Sequence, residues 1–219
     1  MKRVTLFAGH YGSGKTNVAI NYALHLKSMG LPVKIADLDI VNPYFRTKDS
    51  MADLDAAGIP LICSEYAGSN VDFPALPGDV YSLFDNKDTY AVMDIGGDDR
   101  GAYALGRYRD AILSEDNYDM LLVINKYRPL TKTPELCYEV VQEIEEAAGI
   151  KFTGIVNNSN IGSETTWEDV EKSFPYADAV AELTGLPIVM TTAMESIARG
   201  DVFPLKLQKK IFEEDPIYG

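Results

Sequence analysis

The sequence lacks long apolar runs, has few cysteines, and contains no internal repeat or low-complexity tract. A helix that crosses a bilayer needs roughly 20 apolar residues, and no segment approaches that length, so no membrane attachment is expected. Cys63 and Cys137 lie in apolar segments without metal-type spacing, which predicts reduced, buried thiols in a cytoplasmic protein. The first residues are too short for a signal peptide and run directly into Gly9, so we expect a strand there.

Acidic residues are absent before Asp37, although the whole chain is acidic. It carries 33 acidic and 20 basic residues, a net charge of −13. Such a surface repels nucleic acid, which is therefore not expected as a partner. A segment that holds a polyphosphate should lack carboxylates, and the stretch before Asp37 fits that requirement. Chance combined with one basic helix face would explain the same pattern.

Apolar runs of strand length alternate with segments of helical periodicity, which is typical of a parallel α/β sheet. The sequence predicts a single α/β domain with a mostly parallel sheet of about seven strands and helices on both faces. The predicted strands are Val4–Ala8, Val33–Ala36, Ile59–Cys63, Tyr90–Ile95, Met120–Ile124, Phe152–Val156 and Ile188–Met190.

Five helices are predicted between or after these strands. Two of them end at glycines, Gly30 and Gly149, which commonly terminate helices. Residues 64–80 are rich in glycine and proline and predict a long loop at a functional edge. The predicted helices are Thr16–Ser28, Ala102–Leu113, Pro134–Ala148, Trp167–Leu183 and a last one at Leu205–Phe212.

One motif carries a specific chemistry: the segment Gly9–Thr16 matches G-x-x-x-x-G-K-[ST] completely. Glycines let consecutive backbone N–H groups curl around a phosphate, and the positive end of the next helix lies at the same place. Lys15 is expected to reach the β- and γ-phosphates, and Thr16 to offer its hydroxyl to Mg²⁺. The expected nucleotide contacts are Gly9, His10, Tyr11, Gly12, Ser13, Gly14, Lys15, Thr16 and the following Asn17.

Carboxylates follow two other predicted strands. Asp37 and Asp39 come directly after one strand, and Asp94 lies near the end of another, followed by Gly96 and Gly97. The carboxyl ends of parallel strands meet at one edge, where ligands bind. Mg²⁺ takes few protein ligands, so the Thr16 hydroxyl with Asp39 and Asp94 predicts a metal site. A glycine such as Gly97 would let a backbone N–H approach the γ-phosphate.

These residues resemble the MinD/ParA group of P-loop ATPases, which belongs with the nitrogenase iron protein and the CobQ/CobB-like enzymes. The resemblance implies a Mg²⁺-dependent ATPase that cycles between ATP and ADP, with Lys15, Asp39 and Asp94 as catalytic residues. It places Asp39 in switch I, where it assists water attack, and makes Asp94 the Walker B residue. It also implies a homodimer.

The same resemblance assigns the adenine contact to Asn157, at the end of a late strand, with Asn158 as the alternative. The chain departs from the family at the second loop position, where an additional lysine normally reaches the partner's nucleotide. Here that position is His10, and a neutral imidazole is a weaker phosphate partner. A protonated His10, or Arg100, Arg107 or Arg109, could replace the missing charge, although a solvated helix face is the simpler interpretation of Arg107 and Arg109.

A second strand end resembles the guanine-reading Asn-Lys-x-Asp of GTPases. Asn125 and Lys126 match its first two positions, but Arg128 occupies the position of the carboxylate that guanine needs. Adenine is therefore expected over guanine. The Asn-Lys pair would then be a simple strand-to-helix turn.

Two further functional classes remain open on the sequence alone. A small-molecule kinase or ligase of the CobB or dethiobiotin-synthetase type would share the loop and use residues 64–80 as a substrate pocket. A non-hydrolysing module would use the nucleotide to set its shape for an unidentified protein partner. The segment Val41–Arg46, with Tyr44 and Phe45, could form such a partner surface, or pack under the next helix.

Overall fold

The structure is a computed structural model that describes residues 1–39, 48–63, 78–97 and 99–207. It contains one eight-stranded sheet with the order β3-β2-β4-β1-β5-β6-β7-β8, and every neighbouring pair is parallel. The strands are β1 (Val4–Ala8), β2 (Val33–Leu38), β3 (Leu61–Ile62), β4 (Tyr90–Ile95), β5 (Tyr118–Ile124), β6 (Gly154–Asn157), β7 (Ile188–Met194) and β8 (Phe203–Leu205).

Eight α-helices connect the described strands or follow them. Several begin with recognisable signals: Thr133 caps α6 through the amide of Leu136, and a proline occupies its first turn. The helices are α1 (Lys15–Ser28), α2 (Lys48–Ala57), α3 (Ser82–Asp85), α4 (Asp99–Gly106), α5 (Arg109–Glu115), α6 (Pro134–Ala148), α7 (Trp167–Glu171) and α8 (Phe174–Thr184). None of these helices is both long and apolar enough to cross a membrane.

The core lies on both faces of the sheet. Alternate residues of each central strand point to opposite sides, so Leu6 of β1 belongs to one apolar cluster and Phe7 to the other. Helices α4, α6 and α8 cover the Leu6 side, and α1 covers the Phe7 side. Because both faces are buried, the strands read as continuous apolar runs rather than as alternating ones.

The sequence predicted this architecture in outline. All seven predicted strands are confirmed, and β8 is an eighth that the sequence did not indicate. The predicted helix Ala102–Leu113 is in fact two helices separated near Arg107, and Trp167–Leu183 is broken at Ser173. The predicted last helix is wrong at its first residue, because Leu205 ends β8; residues 208–212 of it lie outside the described residues.

The strand order identifies the edge of the sheet at which the phosphate-loop motif lies. Strand β1 lies between β4 and β5, and the chain leaves its carboxyl end into the segment Gly9–Thr16. The carboxyl ends of β2, β4, β5 and β6 lie at the same edge because all strands are parallel. This is the crevice where open α/β sheets bind their ligands.

Candidate functional site

The glycine-containing loop between β1 and α1 is held close to its neighbours. Gly14 immediately precedes α1 with a left-handed φ of 89°, and a methyl group placed on it would lie 2.3 Å from Nδ2 of Asn158. That nitrogen donates a 2.7 Å hydrogen bond to the carbonyl of Ser13. Only glycine satisfies both the conformation and the space at this position. The loop is therefore fixed against the end of β6 before any ligand is considered.

Lys15 is unusual for a lysine because its side chain is only 1% exposed. Its ammonium group donates to the carbonyl of His10 at 3.4 Å, so it folds back over its own loop. The first turn of α1 contains no acidic residue, and the helix dipole adds positive character there. The loop thus concentrates positive charge in a buried position that suits an anion.

The end of the loop is joined to the end of β4 by a short hydrogen bond. The hydroxyl of Thr16 donates to Oδ2 of Asp94 at 2.5 Å, and both side chains are buried. The two residues are 78 positions apart in the sequence. The structure therefore brings together the hydroxyl and the carboxylate that the sequence predicted as one site.

The carboxylates of β2 lie next to this pair. Asp37 is in register with Asp94 on the neighbouring strand, and its Oδ1 accepts a 2.9 Å hydrogen bond from the amide of Asp39. Asp39 is 5% exposed, and its Oδ1 lies 3.4 Å from the position that a methyl group on Gly96 would take. Asp39 therefore lies beside the end of β4. The segment Val41–Arg46, predicted as a partner surface, lies outside the described residues.

The glycines after β4 make close contacts that exclude any side chain. A methyl group on Gly97 would lie 2.7 Å from the amide nitrogen of Tyr11 and 2.8 Å from Nζ of Lys15. A methyl group on Gly101 in α4 would lie 2.5 Å from Cα of Gly96. The segment that follows β4 thus lies directly against the loop, and its backbone is the part that faces Lys15.

Three of the side chains predicted to replace the additional lysine of MinD/ParA proteins are described by the structure. Nδ1 of the half-buried His10 lies 3.3 Å from the carbonyl oxygen of Tyr11, within its own loop, while the Tyr11 side chain is 59% exposed. Arg109 donates to the carbonyl of Gly149, far along the chain from the loop, and Arg107 is exposed after α4. The side chain of Arg100 lies outside the described part of the structure.

The two asparagines at the end of β6 have different surroundings. Asn157 is fully buried, its Nδ2 donates to Ser173 at 2.8 Å, and its Oδ1 accepts from the hydroxyl of Ser159. Asn158 instead contacts the loop and lines a recess beside Asn17. Asn158 is therefore the one of the two that lies at a recess beside the loop.

That recess combines amides with apolar side chains. Its polar wall carries carboxamides beside the start of α1 and after β6, and its apolar wall comes from α7, β7, β8 and the residues that follow β8. The residues that the recess adds to the sequence prediction are Ser159, Asn160, Thr165, Val170, Thr192, Ala193, Met194, Leu205 and Leu207. The run of asparagine and serine at 157–160 was a usable sequence signal, whereas the contributions of β7 and β8 required the topology.

The turn after β5 approaches the loop from the other side. Asn125 is 1% exposed, its Oδ1 accepts from the amides of Tyr127 and Asn160, and its Nδ2 donates to the carbonyl of Asn160. Lys126 reaches the carbonyl of Lys172. These contacts favour the interpretation of this pair as a turn that braces β5 against β6. Arg128 lies against Gly12 of the loop, a contact that the sequence did not predict.

The oxygen atoms beside the phosphate loop are of the kind that Mg²⁺ prefers. Magnesium prefers oxygen ligands and keeps several waters, so one hydroxyl backed by a carboxylate is sufficient. The Thr16 hydroxyl with Asp94 behind it, and Asp39 nearby, provides such oxygens. The described residues contain no group of three or more histidine, cysteine or acidic side chains arranged around one metal position. Because Mg²⁺ takes few protein ligands, a metal here would share its coordination with ligand oxygens and water.

Comparisons with known proteins identify the fold. No family model and no curated protein sequence matches the chain. FtsY from Mycoplasma mycoides has a TM-score of 0.57 at 19% identity over 88% of this chain and 60% of that chain. Chloroplast FtsY from Physcomitrella patens has a TM-score of 0.61 at 16% identity, covering 94% and 62%. The signal recognition particle receptor FtsY from Elizabethkingia anophelis, in complex with GDP, has 0.55 at 16% identity, covering 89% and 58%.

The chain spans about 60% of the length of the FtsY structures that it matches. At such low identity the likeness concerns the fold, which is a single parallel sheet with helices on both faces and a phosphate-loop motif after β1. The finer resemblance to the MinD/ParA group stays a prediction. The chain therefore has the fold of P-loop NTPases.

Proposed function

We propose that this protein binds a nucleoside triphosphate with Mg²⁺ at the loop Gly9–Thr16 and hydrolyses it as a nucleotide-dependent switch. The observation that carries the proposal is the hydrogen bond between Thr16 and Asp94, which joins the loop to the end of β4. A glycine-rich turn that matched the motif by chance would have no reason to meet a buried carboxylate there. The P-loop NTPase fold of the chain supports the same function.

In the proposed site each residue has a definite task. Lys15 and the loop amides hold the β- and γ-phosphates, and Thr16 offers its oxygen to the metal while Asp94 accepts its proton in a hydrogen bond. Mg²⁺, when bound, neutralises the charge that develops on the phosphates. Asp39 accepts a hydrogen bond from the attacking water and orients it for in-line attack. The backbone of Gly97 lies against Lys15, where the terminal phosphate would contact it.

We assign the nucleotide base to the carboxyl edge beside Asn158, which contacts the loop, rather than to Asn157, whose amide is committed to Ser173 and Ser159. Adenine is the expected base because the Asn-Lys-x-Asp motif of guanine-reading proteins is incomplete in this chain, which has Arg128 in place of the Asp. The FtsY structure in complex with GDP makes a guanine nucleotide the alternative. Calorimetric titration with ATP and GTP separates the two, and tighter GTP binding would overturn the adenine assignment.

Hydrolysis is tested by phosphate release in the presence of Mg²⁺ with ATP and with GTP. Lys15→Ala should lower turnover about 100-fold or more, because one charged donor to the transition state is worth at least that factor. Lys2→Ala removes the same charge at the opposite end of β1 and should leave turnover unchanged. Turnover of Lys15→Ala equal to that of Lys2→Ala would refute the proposed hydrolysis.

Thr16 provides a second test with a conservative partner. Thr16→Val keeps the shape but removes the hydroxyl, so Mg²⁺-dependent turnover should be lost, whereas Thr16→Ser should retain most of it.

The resemblance to MinD/ParA proteins, with their ATP/ADP cycle, also implies that the protein is a cytoplasmic homodimer. A protein partner would then recognise one of its two nucleotide states. Sedimentation with ATP and with ADP tests the dimer, and a monomer in both states would contradict it.

A further inference from the structure

The turn that follows β5 presents one positively charged side chain to the phosphate loop. A methyl group on Gly12 would lie 3.7 Å from both Cδ and Nε of Arg128 and 4.0 Å from its Cζ. The side chain of Arg128 therefore lies beside Gly12, close enough that a methyl group there would touch it. Arg128 is exposed, and none of the described carboxylates forms an ion pair with it.

The backbone holds this arginine in place. Its amide donates to the carbonyl of Asn125 at 3.1 Å, and its carbonyl accepts from the amide of Thr131 at 3.1 Å. Pro129 follows it and restricts it to an extended conformation, which is observed with φ −103° and ψ 133°. Asn125, which starts the turn, is buried and tied to Asn160 through both ends of its carboxamide. The side chain therefore starts from a rigid base.

The order of the strands shows which part of a nucleotide would meet Arg128. Along the carboxyl edge of the sheet, the strands lie in the order β4, β1, β5, β6. Gly97 follows β4 and lies against Lys15, whereas Asn158 follows β6 and contacts the loop at the edge assigned to the base. A nucleotide with its terminal phosphate near Gly97 and its base beside Asn158 must pass the end of β5. Its inner phosphates would then lie between the loop and the end of β5.

We infer that Arg128 is a nucleotide-binding residue that contacts the α- or β-phosphate from the β5 side of the loop. This inference rests on the proposed function of the same site. A guanidinium group offers paired donors that match phosphate oxygens, and it is always charged. In a chain with a net charge of −13, such a cation without a described carboxylate partner is well suited to a polyanion. Arg128 supplies a positive charge from the same chain, at a loop where His10 occupies the position of the additional lysine of MinD/ParA proteins.

The test compares binding of ADP and ATP, each with Mg²⁺, to the wild type and to four variants by calorimetry: Arg128→Ala, Arg128→Lys, Arg107→Ala and Lys15→Ala. Arg128→Ala should weaken both nucleotides by about tenfold or more and by a similar factor, since the inner phosphates are common to them. Arg128→Lys should recover part of the loss, because it keeps the charge without the planar fork. Arg107→Ala removes the same charge from an exposed site after α4 and should bind as the wild type does.

The outcomes separate this inference from the proposed function. If the wild type binds neither nucleotide, the proposed function fails and the role of Arg128 fails with it. If the wild type binds and Lys15→Ala does not, but Arg128→Ala matches Arg107→Ala, only the role of Arg128 is overturned. A loss confined to ATP would also overturn it, because the contact would then be to the terminal phosphate. Thermal unfolding without nucleotide checks that each variant is folded.

Discussion

Helix α4 contains two glycines that should respond in opposite directions to the same substitution. A methyl group on Gly106 would meet nothing closer than the carbonyl oxygen of Ala147 at 3.5 Å, which is an ordinary contact. A methyl group on Gly101 would lie 2.5 Å from Cα and 2.7 Å from the carbonyl oxygen of Gly96. Both glycines are helical, so helix propensity favours alanine at each of them.

The magnitudes follow from these distances. Gly106→Ala should raise the free energy of unfolding by about 0.5–1 kcal/mol, the usual gain from replacing a glycine within a helix. Gly101→Ala receives a similar gain, but the clash involves backbone atoms that cannot rotate away, and overpacking costs about 1–3 kcal/mol. The propensity contributions largely cancel in the comparison. Gly101→Ala should therefore be less stable than Gly106→Ala by about 1–3 kcal/mol.

Urea unfolding followed by circular dichroism measures this difference directly, provided that the slope is the same for both variants. Phosphate release adds a functional readout, because Gly96 is joined to Gly97, whose backbone lies against Lys15. Gly101→Ala should lower turnover, and Gly106→Ala should not. If Gly101→Ala is as stable as Gly106→Ala and equally active, the close packing of α4 on the end of β4 does not fix the position of this segment.

Three further predictions use other parts of the molecule. Gly97→Ala should lower turnover and reduce stability by about 1–3 kcal/mol, since its methyl group would collide with the Tyr11 amide; full turnover would refute the close approach. Arg3 lowers the pKa of Glu115 by donating to it at 2.5 Å, so Glu115→Gln should cost about 3 kcal/mol at pH 7. That loss should shrink as pH falls through the lowered pKa, because the wild-type carboxylate is then protonated too; a difference independent of pH in urea unfolding would count against the pair. Burial raises the pKa of the Cys137 thiol to about 11, so at pH 8 a thiol reagent should label the half-buried Cys63 first and Cys137 only in denaturant; rapid labelling of both would contradict this.

Local sequence signals were sufficient for the parts of the fold that depend on neighbouring residues. The phosphate loop, the apolar strands and the capped helix α6 all carry their own patterns, and each is found where it was expected. Strand β8 was missed because Phe203–Leu205 is short and contains Pro204, which normally argues against a strand. The proline is tolerated because β8 lies at the edge of the sheet. Asn21 of α1 holds the chain there by hydrogen bonds to both the amide and the carbonyl of Lys206.

The broken helices have an equally local cause that the periodicity concealed. Pro175 lies in the first turn of α8, where its missing amide costs nothing, so a new helix starts there after Ser173. The apolar spacing continues across the break because both helices pack on the same face. Periodicity reports the buried face and does not by itself show whether one helix or two present it.

The asparagines at the end of β6 show a limit of a different kind. The sequence placed a base-reading residue at the end of this strand, and adjacent residues there have opposite environments because side chains alternate along a strand. Asn157 lies among Ser159 and Ser173, and Asn158 meets the loop and Thr192. If strand β6 ended one residue earlier or later, Asn157 and Asn158 would exchange environments, and the base contact would be assigned to the other residue. Only the register of β6 against β5 and β7 distinguishes the two.

Negative and positive side chains lie on opposite sides of the phosphate loop along the carboxyl edge of the sheet. Asp37, Asp39 and Asp94 all come from β2 and β4, on one side of β1, whereas Arg128 comes from β5 on the other side. Lys15 lies between the two groups. A metal ion is attracted to the carboxylates, and an anion without a metal is attracted to the arginine, so a metal-bound terminal phosphate favours the β4 side.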